Sequence, residues 1–231
     1  MFGRACKFRV TLFVVRKIKN QTSIEYVFFD WDGTLLNSFE ADANAYMLMF
    51  GALGMSWSIA ELKRHYSPNW HRVYRAARLP RAKWTEADRL WRHFYQKQQP
   101  KMQPGALRVL KILDCRFKLA LVSSGSRSRV RKQLREKGVS GMFLAKVCSE
   151  DAPHRKPHPA PLRMALDKLR APQQNSVYIG DAPEDIEMAH RAGVRAIGVL
   201  GGSPVPERLR AASPDAMIET IRELPALLKS F

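Results

Sequence analysis

Asp30 and Asp32 stand one residue apart in the stretch VFFDWDGTLLNS, directly after an apolar run. Like charges this close repel each other, so a purely structural account gains little from the pair. Further along, LVSSG ends in Ser123, Ser124 and Gly125, and the segment HRKPHP carries Lys156. GDAPED then carries Asp181 and, four residues on, Asp185. Acids, hydroxyls and one lysine form a charge-rich set with a need for a cation, suited to chemistry on an anionic group. Taken singly, each has a plainer role. An Asp-x-Asp pair serves turns. Lys156 beside prolines fits a solvated loop, and Asp181 with Asp185 fits the start of a helix, where the dipole favours acids.

The elements that must position these residues follow from periodicity. IEYVFF, from Ile24, predicts a buried β-strand, rich in β-branched and aromatic residues. From about Ser38 to Met102 the pattern predicts helices with no strand between them. EADANAYMLMFGALG has helical spacing and a stop at Gly54. SIAELKRHY opens on a capping box, Ser58 with Glu61, and TEADRLWRHFYQKQQ opens on Thr85 with Asp88 in the matching position. Beyond Gly105, helices and continuous apolar strands alternate: ALRVLKILD, FKLALV, RSRVRKQLREKG, AKVCS, APLRMALDKLR, SVYIG, PEDIEMAHRAG and VRAIGV. The tail adds a short helix, a strand near Ala216 to Ile218 and a last helix. This alternation predicts an α/β fold, a Rossmann-like parallel sheet covered on both faces. The helical stretch after the first strand is then an inserted cap domain. The expected division is a basic extension over 1–23, a core over 24–37 and 104–231, and the cap over 38–103. In such sheets ligands bind beyond the carboxyl ends of the strands, where the acids, serines and glycines above all fall.

Four of these stretches, DWDGTL (30–35), LVSSG (121–125), KPHP (156–159) and GDAPED (180–185), occur in an order and spacing that resembles the haloacid dehalogenase superfamily. The resemblance is to its phosphatases of the phosphoglycolate phosphatase-like type, and it spans about residues 24 to 229. It implies a Mg²⁺-dependent phosphomonoesterase acting on a small phosphorylated metabolite through an aspartyl-phosphate. Asp30 would be the nucleophile and Asp32 the general acid and base. Asp30, the Asp32 main-chain carbonyl and Asp181 would hold Mg²⁺, with Asp185 behind them. The phosphate would sit among Asp32, Gly33, Ser123, Ser124 and Lys156. Asp32 separates phosphoryl transfer from dehalogenation, because dehalogenases of the superfamily do not use that second aspartate as an acid.

Three alternatives stay open at this level. A phosphosugar mutase shares the motifs. A phosphonoacetaldehyde hydrolase would need a Schiff-base lysine in the insertion, where Lys63 lies. The third is a binding protein for nucleic acid or an acidic partner. It is suggested by a net charge of +18, by Arg127, Arg131 and Arg135 along one helix, and by six cations without an acid in the N-terminal extension. Within the insertion, the basic and aromatic run around SPNWHR places Arg64, His65, Trp70 and Arg72 as candidates for substrate specificity.

Composition sets outer limits. The three cysteines, Cys6, Cys115 and Cys148, are widely spaced, which argues against a disulfide framework or a zinc site and for a reducing, cytoplasmic setting. The extension has a short apolar run, Val10 to Val15, and a targeting segment there is the alternative to a plain basic tail. No apolar run reaches the length of about 18 to 20 residues that spans a bilayer.

Overall fold

A computed structural model describes residues 23–231. The expected basic extension, its targeting segment and Cys6 lie outside the described residues. The chain begins with β1 (Tyr26–Phe29), followed by a two-residue strand β2 (Leu36–Asn37). Four helices come next: α1 (Phe39–Ala52), α2 (Ile59–His65), α3 (Trp70–Ala76) and α4 (Trp84–Tyr95). After β3 (Lys101–Met102) the alternation starts with α5 (Ala106–Asp114), β4 (Lys118–Val122), α6 (Arg127–Glu136) and β5 (Phe143–Val147). It continues with α7 (Ala160–Leu169), β6 (Ser176–Gly180), α8 (Pro183–Arg191) and β7 (Arg195–Val199). The chain closes with α9 (Pro206–Ala211), β8 (Ala216–Ile218) and α10 (Leu224–Leu227).

Six parallel strands form one sheet in the order β5-β4-β1-β6-β7-β8. Strand β1 lies at the point where the order reverses, with β4 on one side and β6 on the other. Its four residues are buried and alternate between two cores: Val27 and Phe29 enter one, Tyr26 and Phe28 the other. This two-sided burial is why the strand reads as an unbroken apolar run. The crevice beyond its carboxyl end is where such sheets bind ligands, and Asp30 is the first residue there.

Helices α1 to α4 pack around an apolar cluster of their own that includes Tyr46, Met49, Phe50, Leu62 and Tyr74. The capping box at Ser58 and Glu61 is present. Three local expectations are corrected. The helix expected to open on Thr85 starts at Trp84 without a side-chain cap, and Asp88 instead accepts a hydrogen bond from the Tyr74 hydroxyl at 2.9 Å. Strands are present near the ends of the insertion: β2 and β3 pair antiparallel, Leu36 opposite Met102. Two-residue strands leave no periodicity to read. The strand expected over AKVCS lies earlier, at β5, where the sheet's edge leaves Leu144 63% exposed and breaks the apolar run.

Phe29 is fully buried and meets Phe143 edge-on with ring centroids 6.5 Å apart, tying the central strand to the edge strand. Phe29→Ala is expected to cost about 3–5 kcal/mol of folding stability. Urea unfolding checks this; a loss under about 1 kcal/mol would show that the sheet does not depend on this contact.

Candidate active site

The loop after β1 is tied to the loop after β6. Gly33 has φ +84°, and a Cβ there would lie 2.2 Å from Asp181 Oδ2, so both the backbone and the close approach require glycine. The Thr34 hydroxyl donates to Asp181 Oδ1 at 2.9 Å, and Gln103 Nε2 donates to the Gly33 carbonyl at 2.8 Å. Asp30 and Asp181 thereby face each other across adjacent strand ends.

Lys156 is only 2% exposed. Its ammonium donates to Asp30 Oδ1 at 2.6 Å, Asp185 Oδ1 at 2.7 Å and the Tyr178 hydroxyl at 2.7 Å. Burial alone would favour its neutral form, but the Asp185 and Asp30 carboxylates outweigh it and hold the proton on. Carboxylate oxygens of Asp30, Asp181 and Asp185 lie within 4.8 Å of one another. Burial pushes the Asp30 carboxyl up to about 7 despite Lys156, with Asp185 and Asp32 adding to the rise. Burial, then Asp30 and Asp185, also raise Asp181 well above the usual range. This is the behaviour of a carboxylate group short of positive charge. A hard divalent cation with oxygen ligands fits it. Asp185 is the most committed of the three: Oδ1 accepts from Lys156 and lies 3.2 Å from the Tyr178 hydroxyl oxygen, and Oδ2 accepts from the Ala182 N–H at 3.1 Å.

Asp32 has a different partner. Arg129 grips it with two bonds, Nη1 to Oδ1 at 2.8 Å and Nη2 to Oδ2 at 2.6 Å. Gln133 Oε1 accepts from Arg129 Nη1 at 3.1 Å and from Trp31 Nε1 at 2.9 Å. The fully buried Trp31 thus orients, through Gln133, the arginine that holds its own neighbour. The Arg129 guanidinium also lies 4.9 Å from the Tyr95 ring centroid, on an inserted helix. Gly125 permits the approach, since a Cβ there would sit 2.1 Å from Arg129 Nη2. None of Arg129, Gln133, Trp31 or Tyr178 is visible as a site residue in sequence. Helix α6 reads there as a basic face suited to nucleic acid or an acidic partner. Arg131 and Arg135 are indeed exposed and Arg127 pairs with Asp151, whereas Arg129 turns inward.

A cavity of about 340 Å³ opens between the sheet and the inserted helices, lined by Asp30, Asp32 and Asp181 from one side and Asp42, Tyr66 and Trp70 from the other. Ser124 lines it too. Ser123 is buried beside it, its hydroxyl accepting from the Gly125 N–H at 3.0 Å. Of the four residues expected to set specificity, the cavity holds Trp70 alone. Arg64 and His65 are on the exposed face of α2, where His65 stacks on Trp57, and Lys63 lies over the Phe39 ring. Arg72 is 3.3 Å from Glu184 Oε1, which also accepts from the Ser67 hydroxyl at 2.7 Å. With Arg208 donating to the Tyr66 carbonyl at 2.8 Å, these contacts dock the loop before α3 onto α8 and α9.

A parallel α/β sheet whose reversing strand presents acids and a buried lysine at its carboxyl end is an enzyme-like arrangement for handling an anion with a cation. The family model for haloacid dehalogenase-like hydrolases matches residues 27–199, and the chain belongs to that family. It is 28% identical over 214 residues to the pyrophosphatase PpaX of Bacillus pumilus, covering 90% of this chain and 98% of that one. It is 27% identical over 218 residues to a phosphoglycolate phosphatase of Vibrio parahaemolyticus, covering 88% and 96%. Among solved structures, a haloacid dehalogenase-like hydrolase from Streptococcus pneumoniae superposes with a TM-score of 0.80 at 23% identity, covering 89% of this chain and 99% of that one. CbbY from Rhodobacter sphaeroides, solved with phosphate, gives 0.74 at 23% identity, covering 87% and 96%. No helix among the described residues is long and apolar enough to cross a membrane.

Replacing Lys156 by Met strips the ammonium from a buried cluster of acids and is expected to cost about 3–5 kcal/mol in the metal-free protein, measured by urea unfolding; an unchanged midpoint would refute the role given to it. Asp42 offers a pH test away from that cluster. Its carboxyl, at the cavity wall, accepts from Trp91 Nε1 at 3.0 Å and is pushed up to about 7 by burial and by Asp32. Folding therefore favours its protonated form. That stabilisation is full below the unfolded value of 3.8 and is lost as pH rises through about 7. Asp42→Asn, which cannot ionise, should gain stability relative to the parent between pH 4 and pH 8. A difference that stays constant with pH would contradict the assignment.

Proposed function

We propose that the protein is a Mg²⁺-dependent phosphomonoesterase that hydrolyses a small phosphorylated metabolite through an aspartyl-phosphate on Asp30. The observation that carries this reading is the convergence of Asp30, Asp181 and Asp185, two of them paired with one buried lysine, at the reversing strand. The pyrophosphatases and phosphoglycolate phosphatases among its relatives support a small phosphate compound as substrate.

In this reading Asp30 attacks phosphorus, and the bond from phosphorus to the leaving oxygen breaks as Asp32 gives that oxygen a proton. Asp32 then takes a proton from water, which attacks the phosphorus. The bond to Asp30 breaks and inorganic phosphate leaves. Lys156 holds Asp30 in place and offsets charge on the transferring group. The serines at 123 and 124 and the N–H groups around Gly33 bind phosphate oxygens. Asp30, the Asp32 carbonyl and Asp181 would hold Mg²⁺, with Asp185 fixing Lys156 behind them. The bound ion would supply positive charge against the charge of the phosphoryl group. Arg129 adds a step: it holds both Asp32 oxygens, so an incoming phosphate must draw the guanidinium away before Asp32 can reach the leaving group. Residues 24–37 and 104–231 act as the core in this scheme. Residues 38–103 act as a cap that excludes water and sets specificity.

Turnover of p-nitrophenyl phosphate tests the reading directly. Activity should vanish with EDTA and return with added Mg²⁺. Asp30→Asn should lower kcat by roughly 10⁴-fold or more and abolish acid-stable trapping of ³²P on the protein. Normal turnover by the Asn variant would remove Asp30 as nucleophile.

A further inference from the structure

The loop between β5 and α7 sends two consecutive residues in different directions. Lys156 turns to Asp30 and Asp185. Arg155 turns to the inserted helices and lays its guanidinium over the face of Trp70, 3.5 Å from the ring centroid. Both Arg155 and Trp70 line the cavity that holds Asp30 and Asp32. Arg155 forms no ion pair among the described residues. The acids with most influence on it are committed elsewhere: Asp88 accepts from the Tyr74 hydroxyl, and Glu150 accepts from the Arg127 N–H and the Ser149 hydroxyl. Arg155 Nη1 and Trp70 Nε1 are both shielded from solvent and have no hydrogen-bond partner among the described residues. Buried donors left unmade are costly and uncommon. Both belong to residues that line the cavity, so this wall carries donors, one of them cationic, that the protein itself does not match. Stacking on an aromatic face fixes the guanidinium plane and leaves its N–H edge free for a planar or tetrahedral oxyanion.

We propose that Arg155 and Trp70 form a second anion subsite, which takes an oxyanion at the non-reacting end of the substrate: a carboxylate or a second phosphoryl group. The inference rests on the phosphatase reading of Asp30 and narrows it to phosphate compounds that carry two anionic groups. One loop then reads both ends of the substrate, Lys156 acting at the reacting phosphate and Arg155 at the far anion. A substrate lacking that second anion leaves the Arg155 edge unpaired and loses the discrimination that a matched buried donor provides.

Steady-state kinetics with three substrates tests this. p-Nitrophenyl phosphate carries no second anion, phosphoglycolate carries a carboxylate, and pyrophosphate carries a second phosphoryl group. The parent protein should prefer one of the two doubly anionic compounds by kcat/KM. Arg155→Met should lower that preference tenfold or more, chiefly through KM. Trp70→Phe, which keeps a ring under the guanidinium and removes only the N–H, should lower it by a smaller factor. Arg155→Lys, which keeps the charge without the fork, decides the matter if the Met variant does not fold, and should fall between. Equal losses on all three substrates, or an unchanged preference, would overturn the subsite. Failure of the parent protein to turn over any of them would overturn the phosphatase reading instead.

Discussion

Three carboxylates buried at the edge of one sheet repel one another, and the ammonium of Lys156 is what allows two of them to share that space. It donates to Asp30 and Asp185 at once and donates a third hydrogen bond to the Tyr178 hydroxyl. Tyr178 belongs to β6 and its hydroxyl donates to the Val122 carbonyl at the end of β4, so the knot spans the strands on either side of β1. The site is therefore part of how the sheet is closed at that end. One lysine does not cancel three acids, however. Burial first, and then the neighbouring acids, raise the proton affinity of Asp30 and Asp181, and further positive charge there would offset both.

The neighbouring aspartates of the first motif are kept distinct by their partners. Asp30 is held by an ammonium, a compact charge that leaves its other oxygen geometry free. Asp32 is held by a planar guanidinium on both oxygens. That second grip is itself supported, through Gln133 and the indole of Trp31, from inside the core. Trp31 looks unexplained in sequence because its work lies 102 residues away, at Gln133. A tryptophan between two aspartates thus ties one carboxylate's partner to the core.

The parts of the site that sequence makes legible are those whose chemistry is local. Asp30, Asp32, Asp181 and Asp185 sit at strand ends or a helix start, where a short motif states both position and type. Lys156 is legible by its place between two such motifs. What stays hidden is contact across distance. Arg129 and Asp32 are separated by 97 positions, and nothing in RSRVRKQLREKG sets Arg129 apart from the arginines around it. Helical geometry does so only once the packed side is known: Val130, Gln133 and Leu134 are buried, and Arg129 shares their side while Arg131 and Arg135 face water. Side-chain facing is equally hidden in the inserted helices. Arg64 and His65 look well placed for substrate, yet the face of α2 that packs is the one carrying Leu62. Fold class was more legible than side-chain facing because a strand buried on two sides needs no choice of face.

The net charge of +18 raises a final question, since the site is rich in acids. Much of that charge lies outside, on side chains such as Arg131 and Arg135 that touch solvent. Such charges steer anions by long-range attraction that salt screens, and they do not choose among anions. Choice requires desolvated cations with fixed geometry. Lys156 and Arg129 meet that condition but are already matched to carboxylates. Arg155 is half-buried against an aromatic ring, which orients the guanidinium without neutralising it. A cation matched to an acid stabilises the protein's own structure, whereas one matched to a ring retains its charge for something else. By that distinction Arg155, on the cavity wall, is a cation left to choose among anions, whereas the exposed basic side chains act on them through long-range attraction.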